Sequence, residues 1–395
     1  MTNQPKYTDE QPVERQSVTP TIEFLERPPL VMRRPFCLLD GRAYAATWLD
    51  VAVTYPEKRS TSGKLVRAKS KMVRHEQRLY IVRDDGIVFG DGAPEPLIAL
   101  PFRVDLPEIP PPQKCWTVQG VGRFRQGERP DPATLFVRLV DVIDHFIDFS
   151  RSLTDQRTMA ELLATYVFAT WLLDAFNVIG YLWPSGEHGS GKTQVLLLAA
   201  ELSYLGMVIQ AGGSYATLRD MADYGATLAF DDAEDLASPR RTDPEKRTLL
   251  LAGNRRGSYV TVKESVGKGK WRTRYINAFC PRLFSAIKLP DSVLASRTIV
   301  LPLVRTMDRS KANAEPLDFN LWPHERQRLV DDLWAMAAAN LPSLVAGGYD
   351  GLVAREAQLS GRNLEPWRAM LAVARWLDDV DEKGPATETT IREQV

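Results

Sequence analysis

Residues 178–193 read Val-Ile-Gly-Tyr-Leu-Trp-Pro-Ser-Gly-Glu-His-Gly-Ser-Gly-Lys-Thr. They join an apolar run of strand length, which ends at Pro184, to an apolar helix pattern over residues 195–205. The glycines of the loop and the two residues that open the helix are Gly186, Gly189, Gly191, Lys192 and Thr193. The pattern G-x-x-x-x-G-K-T thus stands between a strand and a helix, which is the context that it requires.

The chemistry of this pattern is phosphate binding. Glycines accept a positive φ, so backbone N–H groups of the loop and of the helix N-terminus can turn toward one point and bind phosphate oxygens. Lys192 would then reach the β- and γ-phosphates, and the Thr193 hydroxyl would coordinate Mg²⁺. The alternative is a glycine-rich turn with a solvated lysine. The sequence predicts a site for ATP and Mg²⁺ whose cofactor-binding residues are Gly186, Gly189, Ser190, Gly191, Lys192 and Thr193.

The composition is typical of an ordinary globular protein. The chain has 395 residues, of which 44% are hydrophobic and 25% charged, and this length predicts two or three domains. Basic and acidic residues number 50 each, so no net charge attracts a polyanion. Any nucleic-acid site must therefore be a local patch.

Cysteines and apolar runs bear on the compartment. Cys37, Cys115 and Cys280 are widely spaced and odd in number, which favours a reducing, cytoplasmic compartment without a zinc site or a disulfide framework. The N-terminal residues contain no apolar run of the kind found in secretory signals. The one membrane-like stretch, residues 162–183, is split by Asp174. We interpret it as a buried helix followed by a strand, with a membrane span as the alternative.

Changes of pattern divide the chain into five segments. Residues 29–113 are β-like, and Asp40-Gly41 between two such runs predicts a hairpin. The expected order is a disordered lead-in (1–28), a β-rich N-terminal domain (29–113), a linker and helical collar (114–175), a P-loop ATPase core (176–306) and a helical C-terminal segment (307–395).

Within the predicted core, short apolar runs alternate with helix patterns. Strands are expected at 207–210, 226–230, 282–287 and 298–304, helices at 215–224 and 244–252, and a hairpin at 259–263 with 271–275. Such an alternation predicts an α/β fold with a mostly parallel sheet covered on both faces, which is a three-layer core.

A second motif supplies carboxylates. Residues 226–235 read Ala-Thr-Leu-Ala-Phe-Asp-Asp-Ala-Glu-Asp, an apolar strand that ends in acidic residues. The carboxyl end of such a strand lies beside the phosphate loop, so Asp231 can hold the Mg²⁺ shell. Asp232 would orient the attacking water, with Glu234 as the other candidate base. The alternative is a capped helix start with acidic residues in its first turn.

Together these segments resemble the AAA+-type ATPase domain of helicases. The phosphate loop (Walker A), the acidic strand end (Walker B), residues 251–257 and residues 280–302 carry the resemblance. The chain is similar to predicted ATPases of phages, plasmids and integrated elements, and to the helicase half of primase-helicases. The resemblance covers residues 157–304 and does not extend to residues 1–130.

The resemblance implies further catalytic residues. Arg297, between a short helix and an apolar strand, matches an arginine finger that acts on the γ-phosphate of the neighbouring subunit; an ordinary helix-terminal arginine is the alternative. Ser285 occupies the position of a small polar sensor residue, with Lys288 as its rival.

The resemblance also implies contacts with nucleic acid. The turn at 267–270 matches a hairpin that lines the pore of ring helicases, where Lys268 and Lys270 could follow phosphates beside Trp271. A solvated hairpin tip is the alternative. Arg255 and Arg256 could face either DNA or a subunit interface.

The sequence therefore predicts an ATP-hydrolysing, ring-forming motor of a mobile genetic element that translocates on or unwinds DNA in replication. The expected partners are single-stranded DNA, further copies of the chain in a hexameric ring, and a primase or another replication protein; no membrane is expected. One alternative is a nucleotide-dependent switch or assembly ATPase that recruits partners without unwinding DNA. Another is a scaffold that only binds nucleotide, suggested by Asp232 where such ATPases usually have glutamate.

Overall fold

The computed structural model describes residues 28–55, 72–106, 114–210, 214–234, 243–267 and 269–380. The predicted disordered lead-in lies outside these ranges except for its last residue, and Lys268 and the polar C-terminal end also lie outside them. Within them the chain has a mixed α/β fold with a parallel five-stranded sheet, as predicted.

The N-terminal part consists of β-strands. They are β1 Val31–Met32, β2 Phe36–Leu39, β3 Arg42–Tyr55, β4 Met72–Arg83, β5 Val88–Phe89 and β6 Arg103–Val104. β2, β3, β4 and β5 form an antiparallel sheet in that order, and β1 pairs with β6 in parallel. The predicted hairpin at Asp40-Gly41 is confirmed: both residues have a positive φ, 49° and 74°, which this pair adopts at low cost.

One face of this N-terminal sheet belongs to the main hydrophobic core of the molecule. The ring of Phe36 packs against the rings of Tyr204 and Trp334, which lie far away in sequence. Arg34 is buried and donates a 2.7 Å hydrogen bond to the carbonyl oxygen of Phe279. The predicted domain boundaries stay predictions, but the described residues on either side of the boundary at residue 113 share a core.

Three helices follow: α1 Val118–Arg125, α2 Pro132–Phe146 and α3 Gln156–Trp171. Each begins after a capping side chain, Thr117, Asp131 or Asp155, that accepts a hydrogen bond from the backbone N–H three residues later. α3 is buried along most of its length, as expected for a helix that is apolar on nearly every side. Among the described residues no helix is long and apolar enough to cross a membrane. The interpretation of residues 162–183 as a buried helix and a strand is confirmed.

The next elements form the central sheet and its covering helices. The strands are β7 Tyr181–Ser185, β8 Met207–Gln210, β9 Leu228–Asp231, β10 Tyr259–Ser265, β11 Trp271–Asn277, β12 Arg282–Phe284 and β13 Thr298–Pro302. The helices are α4 Lys192–Leu202, α5 Tyr215–Asp223, α6 Pro244–Ala252 and α7 Ser292–Ala295. The sheet has the order β13-β7-β12-β9-β8 with every pair parallel, while β10 and β11 form a separate antiparallel hairpin.

Most predicted elements of this region are present, and several end earlier than predicted; the strand predicted at 298–304, for example, ends at Pro302. The strand at 207–210 and the helix at 244–252 are confirmed at both ends. The helix pattern that was expected to run to residue 205 ends at Leu202, because the backbone of Ser203 is extended, with a φ of −79° and a ψ of 157°. The predicted strand 282–287 ends at Phe284, after which Ala286 keeps a single bridge to Ser185.

The C-terminal segment is helical, as predicted. It contains α8 Arg309–Ala312, α9 Arg326–Gly347, α10 Tyr349–Glu356 and α11 Arg368–Val380. Trp334 of α9 lies parallel to Trp116, with 6.2 Å between ring centroids, and edge-on to Trp171. These long-range contacts attach the C-terminal helices to the collar and the N-terminal sheet.

A buried ion network joins the far end of α4 to the collar. Lys114 Nζ lies 2.9 Å from Glu201 Oε1, and Arg326 Nη2 lies 2.7 Å from Glu201 Oε2. Burial outweighs the attraction of Glu201 and lowers the pKa of Lys114 to about 8. The network therefore holds a lysine whose charge is costly in the folded state.

This lowered pKa predicts how stability depends on pH. Between about pH 8 and pH 10.5 the unfolded chain keeps the Lys114 proton and the folded chain loses it, so rising pH favours folding through this group. We expect the free energy of unfolding of the wild type, relative to Lys114→Met, to rise by about 1–2 kcal/mol between pH 7.5 and pH 9.5. Buried tyrosines and cysteines titrate in both proteins, so urea denaturation of the pair at each pH isolates the lysine. Parallel stability curves would contradict the prediction.

Candidate functional site

The glycine-rich loop lies at the carboxyl end of β7 and leads directly into α4. Gly189 and Gly191 have φ values of 76° and 89°, and Gly191 is the N-cap of α4. A Cβ atom on Gly186 would lie 2.3 Å from the carbonyl oxygen of Leu303, so glycine is required there as well. The loop therefore combines left-handed glycines, a close backbone approach and a helix N-terminus, which together favour anion binding.

Lys192 folds back over this loop. Its Nζ atom donates to the carbonyl oxygens of Gly186 and Glu187, both at 2.8 Å. The ammonium group is thus held above the loop by two neutral acceptors. Phosphate oxygens are stronger acceptors for it, because they carry charge.

Two hydroxyls and a carboxylate meet at the adjacent strand ends. Asp231 at the end of β9 lies 3.3 Å (Oδ1) and 3.4 Å (Oδ2) from Thr193 Oγ1. Ser285, directly after β12, donates a 2.5 Å hydrogen bond to Asp231 Oδ1. These residues are far apart in sequence, and the parallel register of β7, β12 and β9 brings them together.

The hydroxyl of Thr193 and the carboxylate of Asp231 fit Mg²⁺. Among the described residues no group of three His, Cys, Asp or Glu side chains could hold a metal ion unaided. Mg²⁺ usually takes one or two protein carboxylates and completes its shell with water and phosphate oxygens, so these two side chains match its requirements.

The acidic residues after β9 have different surroundings. Asp232 has a φ of 50°, a conformation that aspartate tolerates better than most residues, and its side chain is exposed. Glu234 Oε1 instead accepts a 2.8 Å hydrogen bond from the backbone N–H of Ile287. Glu234 therefore ties this turn to the segment after β12, while the Asp232 carboxylate faces solvent.

A cavity of about 270 Å³ adjoins the loop. It lies between residues 189–191, the end of α2 and residues 305–313. Gln194 of α4 donates to the carbonyl oxygen of Ala314 at 2.7 Å, and Lys311 donates to that of Ile147 at 3.0 Å. Neither Gln194 nor Lys311 could be predicted as a site residue from the sequence, since nothing in the local pattern indicates that residues 305–313 return to the loop.

Arg297 lies at the opposite end of the sheet. It precedes β13, whose first residue Thr298 pairs with Tyr181 and whose last residue pairs with Ser185 beside the loop. Five strand residues span about 16 Å. The Arg297 guanidinium donates to the carbonyl oxygen of Val293 at 2.6 Å and does not meet the loop of its own chain.

The predicted nucleic-acid residues fall into two groups. Lys270 is exposed directly before β11, whereas Lys268 lies outside the described residues. Arg256 donates to the carbonyl oxygens of Phe176 at 2.9 Å and Leu173 at 3.0 Å, and Arg255 is paired with Glu365. The two arginines thus make contacts within the chain, and their contact with DNA or a subunit stays a prediction.

Comparisons with known proteins give low similarities. No protein-family model matches the chain, and no curated protein matches its sequence. Among solved structures, two apo A-form structures of the NrS-1 C-terminal region are similar. The first is 10% identical over 75% of each chain, with a TM-score of 0.30, and the second is 9% identical over 74% of each chain, with a TM-score of 0.28. The helicase of JCV bound to a small molecule is similar at 12% identity over 67% of this chain and 66% of that chain, with a TM-score of 0.25. One of these structural neighbours is a helicase, and all three similarities are too low to assign a family.

Proposed function

We propose that this chain is a Mg²⁺-dependent ATPase of the AAA+ type that acts as a ring-forming motor on single-stranded DNA, in the replication of a mobile genetic element. The observation that carries the proposal is the meeting of Thr193, Asp231 and Ser285 beside the glycine-rich loop. From β7 the chain crosses to β8 at one edge of the sheet, while β13 lies on the other side of β7. The loop thus stands at a switch point of the sheet, where α/β folds bind ligands.

The triphosphate would lie along the loop and the N-terminus of α4. Lys192 would leave the carbonyl oxygens of Gly186 and Glu187 and bind β- and γ-phosphate oxygens instead. This change is favourable because the phosphate oxygens are charged acceptors and the carbonyl oxygens are neutral. Thr193 and Asp231 would hold Mg²⁺, which neutralises charge that develops on the phosphates. Ser285 fixes one oxygen of Asp231 and thereby orients the other.

Asp232 is our choice for the residue that orients the attacking water. Its carboxylate is exposed next to Asp231, while Glu234 is occupied by the backbone N–H of Ile287. In this assignment Glu234 has a positioning role, since it links the turn after β9 to the segment that carries Ser285. The 270 Å³ cavity beside the loop would take the base and ribose.

Hydrolysis would require a neighbouring subunit. Arg297 is about 16 Å from its own loop, so it can act as an arginine finger only on the site of another copy. This supports a ring of identical subunits, for which we propose six members. The β10–β11 hairpin with Lys268 and Lys270 would face the DNA in such a ring.

The test is steady-state ATP hydrolysis with and without oligo(dT), at about 50 and 200 mM salt. We expect DNA to stimulate hydrolysis, and the stimulation to weaken with salt because phosphate contacts release counterions. Lys192→Ala should reduce kcat by about 100-fold or more, since it removes a charge that stabilises the transition state.

Lys246→Ala is the matched control, because Lys246 lies on α6, which packs against α5 and β10, and its loss should leave hydrolysis unchanged. Hydrolysis that is indifferent to DNA would overturn the motor and favour a nucleotide-dependent switch. Nucleotide binding without ATP hydrolysis would overturn both the motor and the switch, and would support a scaffold that only binds nucleotide.

A further inference from the structure

The β10–β11 hairpin has two faces of opposite character. Cross-strand pairs alternate between them, so Val260 with Ile276 and Glu264 with Arg272 lie on one face. Val260 and Ile276 are buried against the α/β core, and Glu264 is paired with Arg272 at 2.8 Å. These side chains of the inner face therefore have their partners within the chain.

The outer face carries aromatic rings in contact with solvent. Its four cross-strand pairs are Tyr259 with Asn277, Thr261 with Tyr275, Lys263 with Thr273, and Ser265 with Trp271. The exposed fractions of Tyr259, Trp271 and Tyr275 are 58%, 64% and 62%. Three large rings exposed on one small face are unusual in a soluble protein without a partner.

Charge and spacing identify the partner. The outer face contains Lys263 and no carboxylate, since the hairpin's one acidic residue, Glu264, lies on the inner face. By the register, Lys263 stands between the rows of Tyr275 and Trp271, and Lys270 follows at the turn. A cation between exposed rings matches alternating phosphates and bases.

The spacing also selects an unpaired strand. Trp271 and Tyr275 are four residues apart on β11, which is about 14 Å along an extended strand. Bases stacked in a duplex are about 3.4 Å apart and present no free faces to such rings. An extended single strand can separate its bases and stack them on successive aromatic side chains.

We propose that the outer face of the hairpin, formed by Tyr259, Lys263, Trp271 and Tyr275, is a stacking surface for single-stranded DNA. The proposal extends the proposed function beyond the lysines of the turn: the strand would lie along the length of the hairpin, with bases on the three rings and phosphates at Lys263 and Lys270. It rests on the proposed function only in taking DNA as the partner, since stacking requires no hydrolysis.

The test is equilibrium binding of fluorescein-labelled oligo(dT), followed by anisotropy in the absence of ATP. We expect Trp271→Ala and Tyr275→Ala each to weaken binding by about 5- to 150-fold, because each removes a stacked base. Tyr275→Phe should bind nearly as well as the wild type, since it keeps the ring. Lys263→Ala should lower the slope of log affinity against log salt by about 0.7, the loss of one phosphate contact.

Two controls separate stacking from folding and from general charge. Arg272→Ala removes a cation from the inner face and should change the affinity less than Lys263→Ala. The thermal midpoint and the affinity for a fluorescent ATP analogue should be unchanged in every hairpin variant, because the hairpin lies outside the central sheet. A duplex and an oligo(rU) of equal length serve as further ligands; tighter binding of oligo(rU) than of oligo(dT) would overturn the choice of DNA.

The outcomes distinguish this proposal from the proposed function. Binding that depends on Trp271 and Tyr275 in a protein without ATPase activity would support the stacking surface and overturn the motor. DNA-stimulated hydrolysis with unchanged affinity in both alanine variants would support the motor and overturn the stacking surface. Loss of self-association in these variants without loss of DNA binding would show that the face contacts another copy of the chain, and would also overturn the proposal.

Discussion

Replacing Arg297 by alanine should lower kcat for ATP hydrolysis by about 10³- to 10⁵-fold and leave ATP binding intact. The guanidinium lies at the amino end of β13 and the glycine-rich loop at the carboxyl end of the neighbouring β7. It therefore contributes nothing to nucleotide binding in its own chain, but it can stabilise charge on a γ-phosphate held by the next subunit. Steady-state hydrolysis and binding of a fluorescent ATP analogue measure the two effects separately.

A mixing experiment tests whether the site is shared. Arg297→Ala subunits keep an intact loop, and Lys192→Ala subunits keep an intact arginine, so each lacks what the other supplies. In a mixed ring about one quarter of the sites would combine both intact parts, and activity should reappear from two inactive proteins. Arg362→Ala, at an exposed arginine in the C-terminal part, is the control for loss of charge. If Arg297→Ala hydrolyses ATP at the wild-type rate, Arg297 is an ordinary helix-terminal arginine and not an arginine finger.

Replacing Gly253 by alanine should destabilise the folded protein by about 3–5 kcal/mol. A Cβ atom there would lie 1.8 Å from Nη1 of Arg282, which is completely buried on β12. The guanidinium donates to the carbonyl oxygen of Leu250 at 2.7 Å and to the hydroxyl of Tyr181 at 2.6 Å. Burial raises the pKa of Tyr181 to about 12, so the Tyr181 hydroxyl is a neutral acceptor. The buried charge of Arg282 is therefore stabilised by hydrogen bonds to neutral groups. Displacing the guanidinium would leave a buried charge without partners.

Backbone strain does not contribute to this effect. Gly253 has a φ of −80°, which alanine adopts readily, so the loss reports the steric conflict with Arg282 alone. Gly122 in α1 is the matched control, because it also lacks a positive φ and a Cβ there would meet no atom within 4 Å. Gly122→Ala should stabilise the protein by about 0.5–1 kcal/mol. Urea denaturation of both variants measures the difference, and equal effects would contradict the role of Arg282.

The sequence alone predicted the features that depend on local patterns. The glycine-rich loop, the strand at 207–210, the helix at 244–252 and the Asp40-Gly41 hairpin are all present. Each rests on periodicity, on capping or on the conformational freedom of glycine, which act over a few residues. The order of strand, loop and helix also predicted a parallel sheet, because parallel strands require crossover connections.

The candidate site was predicted in part for the same reason. The carboxyl ends of parallel strands share one edge of the sheet, so a strand that ends in Asp231 could be expected beside a loop that follows β7. Ser285 was predicted from the resemblance to helicase ATPase domains, and in the structure its hydroxyl donates a hydrogen bond to Asp231. The preference for Asp232 over Glu234 stays a proposal; the hydrogen bond that Glu234 accepts from the backbone N–H of Ile287 supports it, and no spacing in the sequence indicates that bond.

The sequence by itself determined most of the secondary structure of the core and the place of the glycine-rich loop between a strand and a helix, since both follow from interactions within a few residues. Only the tertiary structure decided that the N-terminal sheet shares the main core, that residues 305–313 border a cavity at the loop, and that the aromatic residues of the hairpin lie on its outer face. It also decided that Arg256, for which a contact with DNA or a subunit stays a prediction, donates to the carbonyl oxygens of Phe176 and Leu173 within the chain. These outcomes depend on contacts between residues up to two hundred or more positions apart, as between Phe36 and Trp334. Packing of the whole core selects such contacts, and no local pattern encodes them.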